Sequence, residues 1–297
     1  MNFIKRYLSN TKFEKRTLRQ LNATIEYLAK KQFFHEKAMA SNEKLVEVSS
    51  ENQQTIVSMT TYSRRIHDVY LVIESLGFQT VKANKIILWL DENEFNLDNI
   101  PQMLHLQVKR GLEVRFCKNL MSYKKLVPAL KQFPDSDIIT VDDDFLYPHD
   151  LVEQLVYTKN LYPSSIIGTR AHKISMDKEQ VLPYKKWEYE ASFSKNGDHT
   201  FLTTGAGTLF PARLLNNEFF CEKEFMSICP TADDVWVNFI CIKSGISRVK
   251  VHDDRAFTSR FFELEEHKDI ALNKKNVHQN HNDIQIKNIT QRYEIKL

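Results

Sequence analysis

Between residues 55 and 161 short apolar runs rich in β-branched residues take turns with helical stretches, and the runs stop abruptly in polar residues. TIVSM (Thr55–Met59) gives way to TTYSRR, KIILWL (Lys85–Leu90) to DENEF, and DIITV (Asp137–Val141) to three aspartates; LEVRFC (Leu112–Cys117) is a further run of this kind. Helical patterns fall between and after them, over Ile66–Leu76, Lys124–Gln132 and Asp150–Leu161. Strands that alternate with helices predict an α/β fold: a mostly parallel central sheet, right-handed crossovers, helices on both faces. In such sheets ligands bind beyond the carboxyl ends of the strands. Thr60, Thr61, Asp91, Glu92, Asp142, Asp143 and Asp144 are all expected at that rim.

Three adjacent carboxylates repel one another, and beside a buried strand they are costly without a cation or hydrogen-bond donors. An EF-hand loop starting at Asp142 would need glycine at Tyr147 and an oxygen ligand at Leu146, so that motif is excluded. A DxDxT phosphatase motif fails at the same leucine. A solvated acidic turn is one alternative. The other is a site for Mg²⁺ or Mn²⁺ bridging a diphosphate, since these ions take one or two carboxylates plus phosphate oxygens and water. In an extended chain Asp142 and Asp144 point the same way and Asp143 points elsewhere.

Only 7 of 297 residues are glycine, which leaves little room for glycine-rich phosphate loops. The net charge of +3 is too small to argue for a nucleic-acid partner. It is unevenly spread: residues 1–50 hold ten Lys/Arg against five Asp/Glu, and the other 247 hold 31 against 33. Leu18, Leu21, Ile25 and Leu28 recur at helical spacing, with Lys15, Arg16, Arg19, Lys30 and Lys31 on other faces. Residues 1–50 therefore read as a basic helical arm, packed on the body, joined to a second copy in a homo-oligomer, or lying on an anionic inner-membrane surface. Ser49–Gln54 is the expected linker, and 55–297 the main domain. Cys117, Cys221, Cys229 and Cys241 lack zinc or CxxC spacing and are expected to be free thiols. With no apolar run of membrane-span length, the expectation is a cytoplasmic protein.

IVSMTTYSRRI, QTVKANKIILWLDENEF, YKKLVPALKQFPDSDIITVDDDFLYP, TTGAGTLFPARLL and CPTADDVW follow one another in this order. Together they resemble a bacterial glycosyltransferase of the GT-A, nucleotide-sugar-binding fold, of the capsule and lipopolysaccharide type, over about residues 55–290. The resemblance implies a hexosyltransferase that uses Mn²⁺ or Mg²⁺ and a nucleotide-sugar donor, a UDP-sugar by preference, with a glycan or lipid-linked saccharide as acceptor. It assigns Thr60, Thr61 and Arg65 to the nucleotide, Asp91 to the base or ribose, and Lys124 and Lys125 to the nucleotide or its phosphates. Asp142 and Asp144 match the DxD metal motif, and Asp143 joins the donor-binding set. Gly205 and Gly207 would lie under the donor sugar, where a side chain would block close approach. Asp233 and Asp234 match the acidic pair that supplies the base of inverting members.

General acid–base chemistry gives that last assignment an independent basis. Inverting transfer needs a carboxylate to take the acceptor hydroxyl's proton. TADD opening VWVNFICI predicts a helix N-terminus capped by Thr231, which would hold Asp233 and Asp234 ionised; acidic residues are also simply common in a first helical turn. His252, in VKVHDD after a predicted strand, is a candidate third metal ligand or an ordinary histidine. His172 and Trp187 flank the expected sugar site and read first as packing. His278, Gln279, Asn280 and His281 have ligand-like spacing but read better as a solvated loop. A sugar nucleotidyltransferase is the competing enzyme class, disfavoured because TTYSRR lacks glycine. A non-catalytic nucleotide-sugar-binding module would not need both acidic motifs.

Overall fold

The apolar runs become strands because β-branched side chains fit a pleated surface covered on both faces. In the computed structural model, which describes residues 2–50, 53–178, 180–191, 199–264, 266, 276 and 280–297, they form β1 (Thr55–Thr60), β2 (Lys85–Asp91), β3 (Leu112–Cys117) and β4 (Asp137–Val141). Shorter strands follow: β5 (Phe145–Leu146), β6 (Ser165–Gly168), β7 (Ala171–Lys173), β8 (Met176–Asp177), β9 (Gln180–Val181), β10 (Thr200–Leu202), β11 (Ala206–Pro211), β12 (Ser247–Lys250) and β13 (Phe262–Glu263). The helices are α1 (Asn2–Ala40), α2 (Val69–Gly77), α3 (Gln102–Val108), α4 (Val127–Gln132), α5 (Leu151–Leu161), α6 (Glu222–Ile228), α7 (Asp233–Lys243), α8 (Phe257–Arg260) and α9 (His281–Tyr293).

Seven strands make the central sheet in the order β12-β6-β11-β4-β1-β2-β3. All pairings are parallel except those of β11, which runs antiparallel to both β4 and β6. The fold is therefore α/β with a mostly parallel sheet flanked by helices, as the alternation predicts. The reversal of β11 matters for function. Its first residue, Ala206, pairs with Val141 at the end of β4, so Thr203–Ala206 arrive at the rim where Asp142 sits.

Three helical expectations change. The stretch expected as an amphipathic helix over Ile66–Leu76 is a 3₁₀ turn, Ser63–His67, followed by α2, buried at every position from Val69 to Gly77. Its exposed face is missing because it packs within the body. Lys124 and Lys125 end a 3₁₀ turn, Met121–Lys125, and the α-helix starts only at Val127, with Pro128 in its first turn. Helix α3 has no strong apolar periodicity and was not expected.

The chain divides into two compact units, Met1–Ser41 and Asn42–Leu297. The first is the long helix α1, on which Leu18, Leu21, Ile25 and Leu28 are exposed. The boundary falls before the expected linker. Residues 42–50 belong to the second unit: Leu45 N–H donates to Arg110 O (2.9 Å) and Glu47 N–H to Ala83 O (3.0 Å). Arg110 is in turn held by a two-pronged, buried pairing with Glu74 (2.6 and 3.0 Å). All four cysteines are free, Cys229 and Cys241 buried. Among the described residues no single helix is long and apolar enough to cross a membrane.

Candidate active site

Residues from the ends of β1, β4 and β6, the start of β11 and the start of α7 enclose a cavity of about 520 Å³. Eleven of the predicted site residues line it: Thr60, Thr61, Arg65, Lys124, Lys125, Asp142, Asp143, Asp144, Gly205, Asp233 and Asp234. The triplet is not extended as expected. The chain turns at Asp143 and Asp144, so strand periodicity does not set their directions. Partners from other elements do. Asp143 accepts from Thr61 Oγ1 (2.6 Å) and Arg65 Nη1 (2.5 Å), and Arg65 also reaches Asp144 Oδ2 (3.1 Å). Asp144 Oδ1 is buried with no hydrogen-bond partner. Burial, then the charges of Asp142 and Asp143, push the Asp144 carboxyl up to about 7 against the pull of Arg65. An orphaned carboxylate oxygen, in a group that needs more positive charge than Arg65 supplies, suits a hard divalent cation. Among the described residues no group of three or more His, Cys, Asp and Glu is placed to hold a metal ion.

Asp142 joins the triplet to the second acidic pair. Lys125, only 5% exposed in its side chain, stands 2.7 Å from Asp142 Oδ1 and 3.2 Å from Asp233 Oδ2. Burial works against its charge, but Asp142, Asp233 and Asp234 hold its pKa above the ordinary lysine range. Gly205 is required on the same account: a Cβ there would overlap the Asp142 carboxylate. Tyr147, buried behind the triplet, fixes the turn by accepting from Asp142 N–H (2.7 Å).

Asp233 and Asp234 open α7 and differ in environment. Thr204 Oγ1 lies 2.6 Å from Asp233 Oδ2 and 2.5 Å from Asp234 Oδ1, and its one proton can serve only one of them. Burial raises the Asp233 carboxyl, but the Lys125 charge and the hydrogen bond from Thr204 bring it below its usual range. Asp234 is pushed up to about 6, by burial and then by the Asp233 charge. The hydrogen bonds that Asp234 accepts, from Thr204 N–H (2.8 Å) and Thr204 Oγ1, both fall on Oδ1, and the residue lines the cavity.

The expected cap is corrected. Thr231 does not cap α7, whose N-cap is Ala232; its hydroxyl instead donates to Asn276 Oδ1 (2.8 Å) and accepts from Gln285 Nε2 (3.1 Å). Three predicted site residues are outside the cavity lining. Asp91 is buried at the end of β2, its Oδ1 accepting from Asn93 N–H (2.9 Å). Gly207 has φ +95°, and a side chain there would meet Leu151 at 2.7 Å, so its role is packing against α5. His252 has a side chain 64% exposed, 3.9 Å from Asp254. His172 lines the cavity, whereas Trp187 is buried with Nε1–H donating to Leu182 O (2.8 Å). His278 and Gln279 lie outside the described residues. The residue most missed is Thr204, which holds both acids; the hydroxyl pair in TTGAG was its only trace in the sequence.

No protein-family model and no curated protein matches this sequence. Among solved structures, S. aureus TarS 1–349 in complex with UDP aligns with 14% identity and TM-score 0.48, over 82% of this chain and 67% of that one. A second S. aureus TarS structure aligns with 14% identity and TM-score 0.47, over 78% of this chain and 39% of that one. Mannosyltransferase PcManGT from Pyrobaculum calidifontis, in complex with GDP-Man and Mn²⁺, aligns with 12% identity and TM-score 0.45, over 78% and 65%.

Proposed function

We propose that this chain is a GT-A-fold, inverting glycosyltransferase that takes a hexose from a nucleotide sugar, a UDP-sugar by preference, and extends a capsule or lipopolysaccharide polysaccharide on the cytoplasmic side of the membrane. The observation that carries the reading is the pairing of two acidic groups through Lys125 at the carboxyl rim of the sheet. A binding module has no use for Asp234, a carboxylate with raised proton affinity and a free oxygen. Asp142 and Asp144 are the side chains that would hold Mn²⁺ or Mg²⁺, and the ion would supply positive charge to the leaving diphosphate. Arg65 keeps the triplet in place, and Thr60, Thr61 and Lys124 line the cavity on the donor side. Asp234 Oδ2 takes the acceptor hydroxyl's proton; the oxygen bonds to the anomeric carbon as the bond to the diphosphate breaks, and nucleoside diphosphate leaves.

Incubation with a panel of nucleotide sugars and Mn²⁺ tests this. At least one donor should release free UDP or GDP slowly by hydrolysis, and EDTA or Asp144→Ala should abolish both turnover and nucleotide-diphosphate binding. Full turnover in EDTA, or release from none of the donors, would reject the reading.

A further inference from the structure

The rim of the sheet assigns different neighbourhoods to the two sides of Asp142. On one side lie the ends of β1 and β2, with Thr60 and Thr61; on the other lie β11 and β6. Strands are spaced ~4.8 Å apart, so the β6 rim stands roughly 14 Å along the sheet from that of β1. Just beyond β6 the chain carries Arg170 and His172, and a loop tied to β7 by the Lys173–Glu188 bridge brings Tyr184 and Tyr189 to the same wall. No step described so far uses this wall.

Its chemistry is specific. Tyr189 is 42% exposed, and its ring lies 4.5 Å, centroid to centroid, from the imidazole of His172. His172 is buried, and its Nδ1 accepts from Glu190 N–H (3.1 Å). An accepting Nδ1 carries no proton, so in the neutral ring the proton is on Nε2. Burial and then the Arg170 charge push its pKa down to about 4, so the ring stays neutral near pH 7. Two buried side chains that line the cavity have an unused polar atom, Thr203 Oγ1 and Asn282 Oδ1. Thr203 directly precedes Thr204, the residue that holds Asp234. Buried polar groups left without partners in a cavity mark where a ligand's hydroxyls go.

We propose that this wall is the acceptor subsite: a pyranose ring stacks on Tyr189, one of its hydroxyls accepts from His172 Nε2–H, and its neighbours meet Thr203 and Asn282. The inference rests on the glycosyltransferase reading and assigns the acceptor's place within it. An aromatic face against the C–H face of a sugar, with a fixed neutral donor at its edge, favours a cyclic polyol over a flexible or charged ligand. His172 is thus a positioning and binding residue, not an acid or base.

Saturation-transfer NMR tests it, with methyl α-D-mannopyranoside, methyl β-D-glucopyranoside and methyl β-D-galactopyranoside as probes, each with UDP or GDP and Mn²⁺. At least one pyranoside should receive saturation on its ring protons. Tyr189→Ala and His172→Phe should weaken that binding about fivefold or more, the effect of losing one ring contact or hydrogen bond. His172→Gln, which keeps an N–H donor, should recover part of it. The nucleotide signal should be unchanged in all three variants, which also shows that they fold. If the nucleotide binds but no pyranoside does, or if pyranoside binding survives both Tyr189→Ala and His172→Phe, the subsite is wrong while the donor reading stands. If no nucleotide binds, the glycosyltransferase reading itself falls.

Discussion

At the scale of single residues, the two acids at the start of α7 are separated by what surrounds them. Asp233 has Lys125 and is held ionised; Asp234 has a carboxylate neighbour and binds a proton up to about pH 6. A general base must be ionised, so turnover should rise as pH increases through about 6 and level off above it. The stability effect has the opposite sign. The folded-state pKa of Asp234 lies above its ordinary value, so the folded state binds more protons between pH 4 and 6, and stability falls as pH rises across that window. Asp234→Asn should remove that fall and melt no lower than wild type at pH 7. It should also lose transfer by ~10²–10⁴-fold, the usual worth of general-base catalysis, while its affinity for nucleotide diphosphate with Mn²⁺ stays near wild type. Asp233→Asn is the control. If it abolishes transfer and Asp234→Asn does not, the roles are exchanged; if both remain active, neither is the base.

At the scale of elements, the position of α7 is set by one side chain. Asn238 accepts from Leu202 N–H and donates to Leu202 O, both at 2.8 Å, and donates to Asp234 O at 2.7 Å. It thereby pins the helix to the end of β10, two residues before Thr204, which meets the acids from the turn between β10 and β11. Asn238→Ala would leave both Leu202 backbone groups buried without partners, at ~1–3 kcal/mol each. A clear drop in thermal midpoint is expected, with kcat falling more than nucleotide affinity. An unchanged midpoint would show that α7 is held by its apolar face alone. The elements themselves were legible to different degrees. LEVRFC and DIITV became β3 and β4 with the boundaries read from sequence, because β-branched runs in a covered sheet leave a strong local signal. The cap of α7 was misread because Thr231 is claimed by Asn276 and Gln285, 45 and 54 residues away. The acidic residues at the rim could be named from sequence, but not their pairing. Lys125 joins Asp142 to Asp233, and Arg65 reaches Asp143 from 78 residues away; no local pattern encodes such partners.

At the scale of the whole molecule, the site and the arm are separable. Every residue lining the cavity falls between Thr60 and Asn282, within the second compact unit, whereas the exposed stripe of Leu18, Leu21, Ile25 and Leu28 is on α1. The basic excess of the first 50 residues also lies mainly on that helix. We propose that α1 is a peripheral anchor, its leucines and isoleucine entering the interface of an anionic inner-membrane leaflet and its lysines and arginines adding attraction to the head groups. A chain starting at Asn42 should keep its affinity for nucleotide diphosphate with Mn²⁺. The full chain should sediment with liposomes containing anionic lipid, and the shortened chain should stay in solution. Binding of the full chain should weaken as salt rises, since exposed charges are screened over ~8–10 Å at physiological ionic strength. Should the shortened chain bind the liposomes equally well, the anchor lies elsewhere. Should it instead lose mass by analytical ultracentrifugation while the full chain ignores the liposomes, α1 joins subunits, and the stripe is buried against a second copy of itself.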